Sequence, residues 1–179
     1  MRIAIATPLY PPDTAPAAHY AKELAERLSH THSVCVVAYS YLPEPIEGVR
    51  IVSVTKRLPL LLRLITYTAS LFKAAQGSDV VYVINGASVE LPLIVVSYIT
   101  RTPFVYISAD TTAALRAGQS KALHFLQTKS VQRSRMHVTS LPLARPEILP
   151  LEAPPTDALA AYESSWEAHL ALVTHTYGK

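Results

Sequence analysis

The sequence predicts an α/β fold: one doubly wound, mainly parallel sheet of about six strands, with a helical appendage at its C-terminal end. Three observations lead there. Short β-rich runs alternate with amphipathic helical stretches from Arg2 onward. The stretch Ser33 to Tyr39 is continuously apolar, as a strand covered on both faces is. Half of the 179 residues are hydrophobic and only 16% are charged, which is enough apolar surface for a substantial core. Strands separated by helices imply right-handed crossovers and a parallel sheet, predicted in the order 3-2-1-4-5-6.

Taken in order, Arg2 to Thr7 is a strand, and Pro8, Pro11 and Pro12 force a loop after it. A helix follows with Ala17, Tyr20, Ala21, Leu24 and Leu28 on its inner face, Thr14 as its expected N-cap and Pro16 in its first turn. Ser33 to Tyr39 and Arg50 to Val54 are strands, joined by a Pro-containing loop from Tyr41 to Gly48. Leu58 to Gln76 reads as a helix with Leu61, Leu64, Ile65, Thr68, Leu71 and Phe72 as its inner stripe. Asp79 to Ile84 is a strand, Val89 to Thr100 a helix, Phe104 to Ile107 a strand, Ala122 to Arg135 a helix and Met136 to Thr139 the sixth strand. This first domain is expected to span residues 1–140. Residues 141–155, with Pro142, Pro146, Pro150, Pro154 and Pro155, read as a linker. Residues 156–179 read as a helix in two pieces, restarting near Ser165 because Ser164 and Glu167 have capping-box spacing. Its stripe of Trp166, Leu170, Val173 and Tyr177 is expected to pack back on the domain, with Gly178 as the stop.

Composition excludes several function classes. A net charge of +3 and a pI near 9.0 fall short of the Lys/Arg density of a nucleic-acid binder. The single cysteine, Cys35, rules out an internal disulfide and sits in an apolar run as a core residue. Seven histidines are scattered without ligand spacing, so no metal site is expected. Neither Gly-x-Ser-x-Gly, Gly-x-Gly-x-x-Gly nor a Walker motif occurs. The N-terminus lacks the long apolar stretch of a signal peptide, and Arg63 and Lys73 interrupt the run Leu58 to Ala75, which otherwise approaches the roughly 20 residues of a membrane span. The expectation is a cytoplasmic protein, with peripheral membrane or lipid-linked acceptor contact open through Arg57, Arg63 and Lys73, beside Lys56.

Several motifs resemble glycosyltransferase family 4. The loop Tyr10-Pro11-Pro12-Asp13 is followed by a helix reading His19-Tyr20-Ala21-Lys22-Glu23-Leu24-Ala25, similar to the family's aromatic-Pro-Pro loop and first helix. Asp79-Val80-Val81-Tyr82 and Pro103 to Asp110 are similar to its fourth and fifth strands, and Ser165-Trp166-Glu167 to its Phe-Ser-Trp-Glu tail. The resemblance implies a GT-B architecture, of which residues 1–140 correspond to the Rossmann-like acceptor-side domain and residues 156–179 to the closing crossover helix. The family's nucleotide-sugar-binding half has no counterpart in the 15-residue linker, so the chain is expected to be truncated relative to the family.

Site expectations follow from the same alignment of motifs. Where the family has a Gly-Gly pair, Ala15 and Pro16 stand; proline offers no N–H, so this loop is a poor phosphate cradle and serves as well to cap the first helix. Where the family has a catalytic histidine, Ala109 stands, and alanine has no hydrogen-bonding group. Asp110 is the one catalytic candidate, with a helix N-cap as its alternative role. Asp13, Thr14, Ala15, Pro16, Asn85, Gly86, Ser88, Asp110 and Thr111 form the candidate ligand-binding set at the carboxyl edge of the sheet. The expected function is a glycosyltransferase-like acceptor-side module, inactive alone and without cofactor. Its partner would be a second copy or a separate donor-domain protein. The alternatives are a compact glycosyltransferase with a nucleotide-sugar at an atypical site, and a generic Rossmann nucleotide binder.

Overall fold

The computed structural model describes residues 1–146 and 156–175, so Pro150, Pro154, Pro155, Tyr177 and Gly178 lie outside the described residues. The strands are β1 (Arg2–Thr7), β2 (Ser33–Tyr39), β3 (Val49–Val54), β4 (Val80–Ile84), β5 (Phe104–Ile107) and β6 (Met136–Val138). They form one sheet in the order β3-β2-β1-β4-β5-β6, as predicted. The pairs β1–β2, β1–β4, β2–β3 and β4–β5 are all parallel. The helices are α1 (Pro16–Ser29), α2 (Leu60–Gln76), α3 (Ala87–Thr100), α4 (Thr111–Gln119), α5 (Lys121–Arg133) and α6 (Thr156–His175). Chain direction across the sheet diverges between β1 and β4, the switch point where doubly wound sheets open a crevice.

The core forms because β-branched side chains cover both faces of the central strands. Every residue of β4 is buried, as are Ile3 to Thr7 of β1. Helix α1 buries Ala17, Tyr20, Ala21, Leu24 and Leu28, the predicted face. On α2 the inner stripe differs from expectation. Tyr67, Leu71 and Ala75 are buried, whereas Leu61 and Ile65 are 74% and 64% exposed. The apolar residues of α2 go almost all round its circumference, so hydrophobicity alone does not choose the face. Tyr67 chooses it, because its buried hydroxyl has acceptors at the Val37 carbonyl (2.9 Å) and the Thr7 carbonyl (3.3 Å) beneath the helix.

Three further expectations are corrected. Thr14 does not cap α1: the N-cap position is Ala15, with Asp13 Oδ1 accepting from the Ala15 N–H at 3.2 Å in an Asx turn and Pro16 opening the helix. Helix α4 was missed as an element, although its cap, Asp110, was named as such. Helix α6 is one continuous helix rather than two pieces. No proline or glycine interrupts it, and the Ser165 hydroxyl donates to the Tyr162 carbonyl at 2.7 Å, satisfying itself inside the helix rather than starting a new one.

The chain divides into two compact units, Met1–His137 and Val138–Lys179. The first holds the sheet from β1 to β5 with α1 to α5. The second holds α6, where Tyr162, Trp166, His169 and Val173 are buried. Within it, the Leu143 N–H donates to Ser165 Oγ at 3.0 Å, and Trp166 meets His169 edge to face at 5.8 Å.

Candidate functional site

Parallel strands that each feed a helix place the starts of those helices on one edge of the sheet. Here the ends of β1, β4 and β5 lead to α1, α3 and α4, and a cleft of about 570 Å³ opens between them. Ala15, Pro16, Gly86, Ser88, Asp110 and Thr111 line it, together with Ala109. Of the candidate set, Asp13, Thr14 and Asn85 do not line the cleft. Asn85 is buried beneath it and clamps the end of β5: its amide donates to the Asp110 carbonyl and its oxygen accepts from the Asp110 N–H, both at 2.7 Å. The Asn-Gly pair is therefore a structural joint.

Gly86 is required for packing. Its φ is +154°, and a Cβ there would meet Pro8 Cγ at 2.8 Å. The glycine lets the β1 and β4 loops touch at the base of the cleft. Tyr10, the aromatic of the Pro-Pro loop, is also structural. It is buried, and its hydroxyl donates to the Glu44 carbonyl at 3.2 Å.

Pro92 inside α3 has no N–H, so it leaves the Ser88 carbonyl without its helical partner. Tyr39, at the end of β2, fills that gap by donating to the Ser88 carbonyl at 3.0 Å. The Tyr39 ring stacks on Tyr67 with centroids 4.2 Å apart, and burial pushes its phenol up to about 12. This tyrosine pair fixes the wall of the cleft.

Both carboxylates at the cleft are already engaged. Asp110 caps α4, accepting from the Ala113 N–H at 3.0 Å. The N-cap alternative thus describes its observed bonding. Glu90, in the first turn of α3, is 4% exposed; it accepts from the Gly86 N–H at 3.2 Å and from the Tyr106 hydroxyl. Burial raises the Glu90 carboxyl above its ordinary range, against the lowering effect of those two hydrogen bonds.

The cations are less committed. Lys56, Arg63 and Arg116 all line the cleft. Lys56 pairs with Asp13 at 3.2 Å, a partly exposed pair worth little. Arg63 donates one bond to the Lys56 carbonyl at 3.4 Å, and its Nε is buried with no hydrogen-bond partner. The N-cap residue of α1, Ala15, offers no side-chain cap, and the start of that helix adds positive potential at the same place. The sequence offered Arg63, with Arg57 and Lys73 and beside Lys56, for membrane or lipid-linked acceptor contact and did not join it to the candidate ligand-binding set, because the turn before α2 has no motif. Arg116 carried no signal at all. Arg57 stands apart, stacked on Tyr41 at 4.1 Å, and Lys73 sits exposed in the last turn of α2.

Among the described residues no group of three His, Cys, Asp or Glu side chains could hold a metal ion, and no helix is long and apolar enough to cross a membrane. Cys35 is partly buried, and burial raises its thiol.

No family profile and no curated protein matches the chain. Among solved structures it is similar to a protein assigned as UDP-N-acetylglucosamine 2-epimerase from Listeria monocytogenes, at 13% identity over 75% of this chain, with a TM-score of 0.48. It is also similar to the DNA/pantothenate metabolism flavoprotein of Streptococcus pneumoniae, at 16% identity over 71% of this chain and 77% of that one, with a TM-score of 0.38. The chain spans 37% of the length of the epimerase. The sheet order and the helices that follow its strands make the first unit a Rossmann-like α/β domain.

Proposed function

We propose that the chain is a glycosyltransferase-like, acceptor-side binding module that holds an anionic, hydroxyl-bearing ligand in the carboxyl-edge cleft and performs no transfer by itself. One observation carries the reading: three cations line the cleft, while both of its carboxylates are tied up in hydrogen bonds of the fold. A site built this way attracts negative charge and offers no free base to deprotonate an attacking hydroxyl. The resemblance of the Tyr10-Pro11-Pro12 loop and the Ser165-Trp166-Glu167 tail to family 4 glycosyltransferases supplies the sugar-handling context. Thr111 and Thr112 at the cleft supply hydroxyls for a polyol. Transfer would need a donor-binding half, to which none of these residues corresponds.

Calorimetric titration of the purified chain with uridine and guanosine nucleotide-sugars and with sugar phosphates tests this. At least one is expected to bind, and Arg63→Gln and Arg116→Gln are each expected to weaken it about tenfold, since a hydrogen bond to a charged group contributes about 1.5–3 kcal/mol. Binding that is indifferent to both substitutions would contradict the placement of the ligand.

A further inference from the structure

We infer that the helical layer built from α2, α3 and α5 docks on the surface of an anionic lipid bilayer. The connections β3–β4 and β4–β5 both run toward the β6 edge, so right-handed crossovers put α2 and α3 on one face of the sheet. Helix α3 packs between α2 and α5. The outer side of this layer is apolar where a solvated helix is ordinarily polar. Ile65 of α2, Tyr98 and Ile99 of α3 and Phe125 of α5 are all more than half exposed. Between α2 and α3 runs a groove of about 600 Å³, with Leu64, Ile65 and Phe72 on one side and Leu91, Val95 and Ile99 on the other. No charged residue lines it. Single exposed apolar residues need no partner, but an apolar groove with apolar rims marks an interaction surface.

The charge around this surface has one sign. Lys73, Lys121, Lys129 and Arg133 are exposed, while the one carboxylate of the three helices, Glu90, is buried at the cleft. Acidic residues stand elsewhere, as Glu23 and Glu26 do on α1. Two of the cations lie over the exposed rings. The Arg133 guanidinium is 3.7 Å from the Tyr98 centroid, and Lys129 Nζ is 5.8 Å from that of Phe125. This combination fits the boundary of a bilayer. Rings and aliphatic side chains enter the headgroup–acyl region, and the long cationic stems hold their charges at the phosphates. A second copy of the chain fits worse, because a symmetric pair sets these cations against the same cations with no carboxylate to meet them. Of the cations that the sequence offered for membrane contact, Lys73 belongs to this surface. Arg63 lines the cleft and Arg57 stacks on Tyr41.

The test sediments the full chain with phosphatidylcholine vesicles, with and without phosphatidylglycerol, at low and high salt. Binding is expected only with phosphatidylglycerol and is expected to weaken as salt is added. Lys73→Gln combined with Lys129→Gln is expected to weaken it at least about tenfold. Ile99→Asp, which sets a carboxylate among the apolar side chains, is expected to abolish sedimentation. These three positions are exposed, so an unchanged melting temperature separates lost docking from lost folding. Arg63→Gln and Arg116→Gln, which impair the cleft, are expected to leave the chain on the vesicles. Absence of sedimentation with either vesicle, equal binding to both, or binding lost through the cleft substitutions alone would overturn the inference. So would a lipid-free dimer that Ile99→Asp dissociates.

Discussion

At the residue scale the site depends on a few positions whose roles are packing and hydrogen bonding. Gly86→Ala introduces a Cβ 2.8 Å from Pro8 Cγ at a backbone conformation alanine resists. The expected loss is about 2–4 kcal/mol, read as a lower urea midpoint at unchanged slope. Tyr39→Phe leaves the Ser88 carbonyl unsatisfied, because Pro92 has no N–H to offer, and is expected to cost about 1–2 kcal/mol. In a Pro92→Ala background that cost should shrink, since the helix regains its own donor; equal costs in the two backgrounds would refute the pairing. Glu90 gives a pH test. Burial raises its carboxyl, so its contribution to stability is full below the unfolded value near 4.5 and is lost as the pH rises through the folded value. Glu90→Gln keeps an acceptor for Gly86 and Tyr106 and is expected to flatten the stability curve between pH 4.5 and neutrality. An unchanged slope over that interval would show that Glu90 does not cause it. None of these three roles was legible in the sequence, because each depends on a contact made across the fold.

At the scale of elements much more was legible. Periodicity located β1, β2 and β5 to the residue and α1 with its buried face, since each has one plain pattern and a proline or polar boundary. It failed for α2, whose leucines surround the helix, and at Ser165, where a local capping pattern sits inside a stretch of good helix formers. Continuity of α6 can be measured. Trp166 is the single tryptophan of the chain and is 3% exposed. Its emission is expected to be blue-shifted and weakly quenched by iodide. Ser165→Pro removes a helical N–H and costs about 3 kcal/mol in a helix interior, so it should expose the indole. Strong quenching in the unmodified chain would contradict the burial of α6.

For the whole molecule, strand order and the carboxyl-edge cleft were readable from the alternation of elements alone, because handedness and burial leave few other topologies. Six of the nine members of the candidate set line the cleft. Its polarity was not readable. The cations come from the start of α2 and from α4, elements whose loops carry no motif, and the carboxylate singled out, Asp110, is a helix cap. The resulting picture is a Rossmann-like domain whose crevice is lined by three cations, and the proposal made for it is that binding there is separated from chemistry. The most direct measurement is product formation when the purified chain alone is incubated with nucleotide-sugars and sugar acceptors, beside Asp110→Asn, which retains an N-cap while removing the charge. The expected result is ligand binding with neither transfer nor hydrolysis in either protein. Turnover by the unmodified chain that Asp110→Asn abolishes would contradict the account and make the chain a compact glycosyltransferase with Asp110 at its reacting centre.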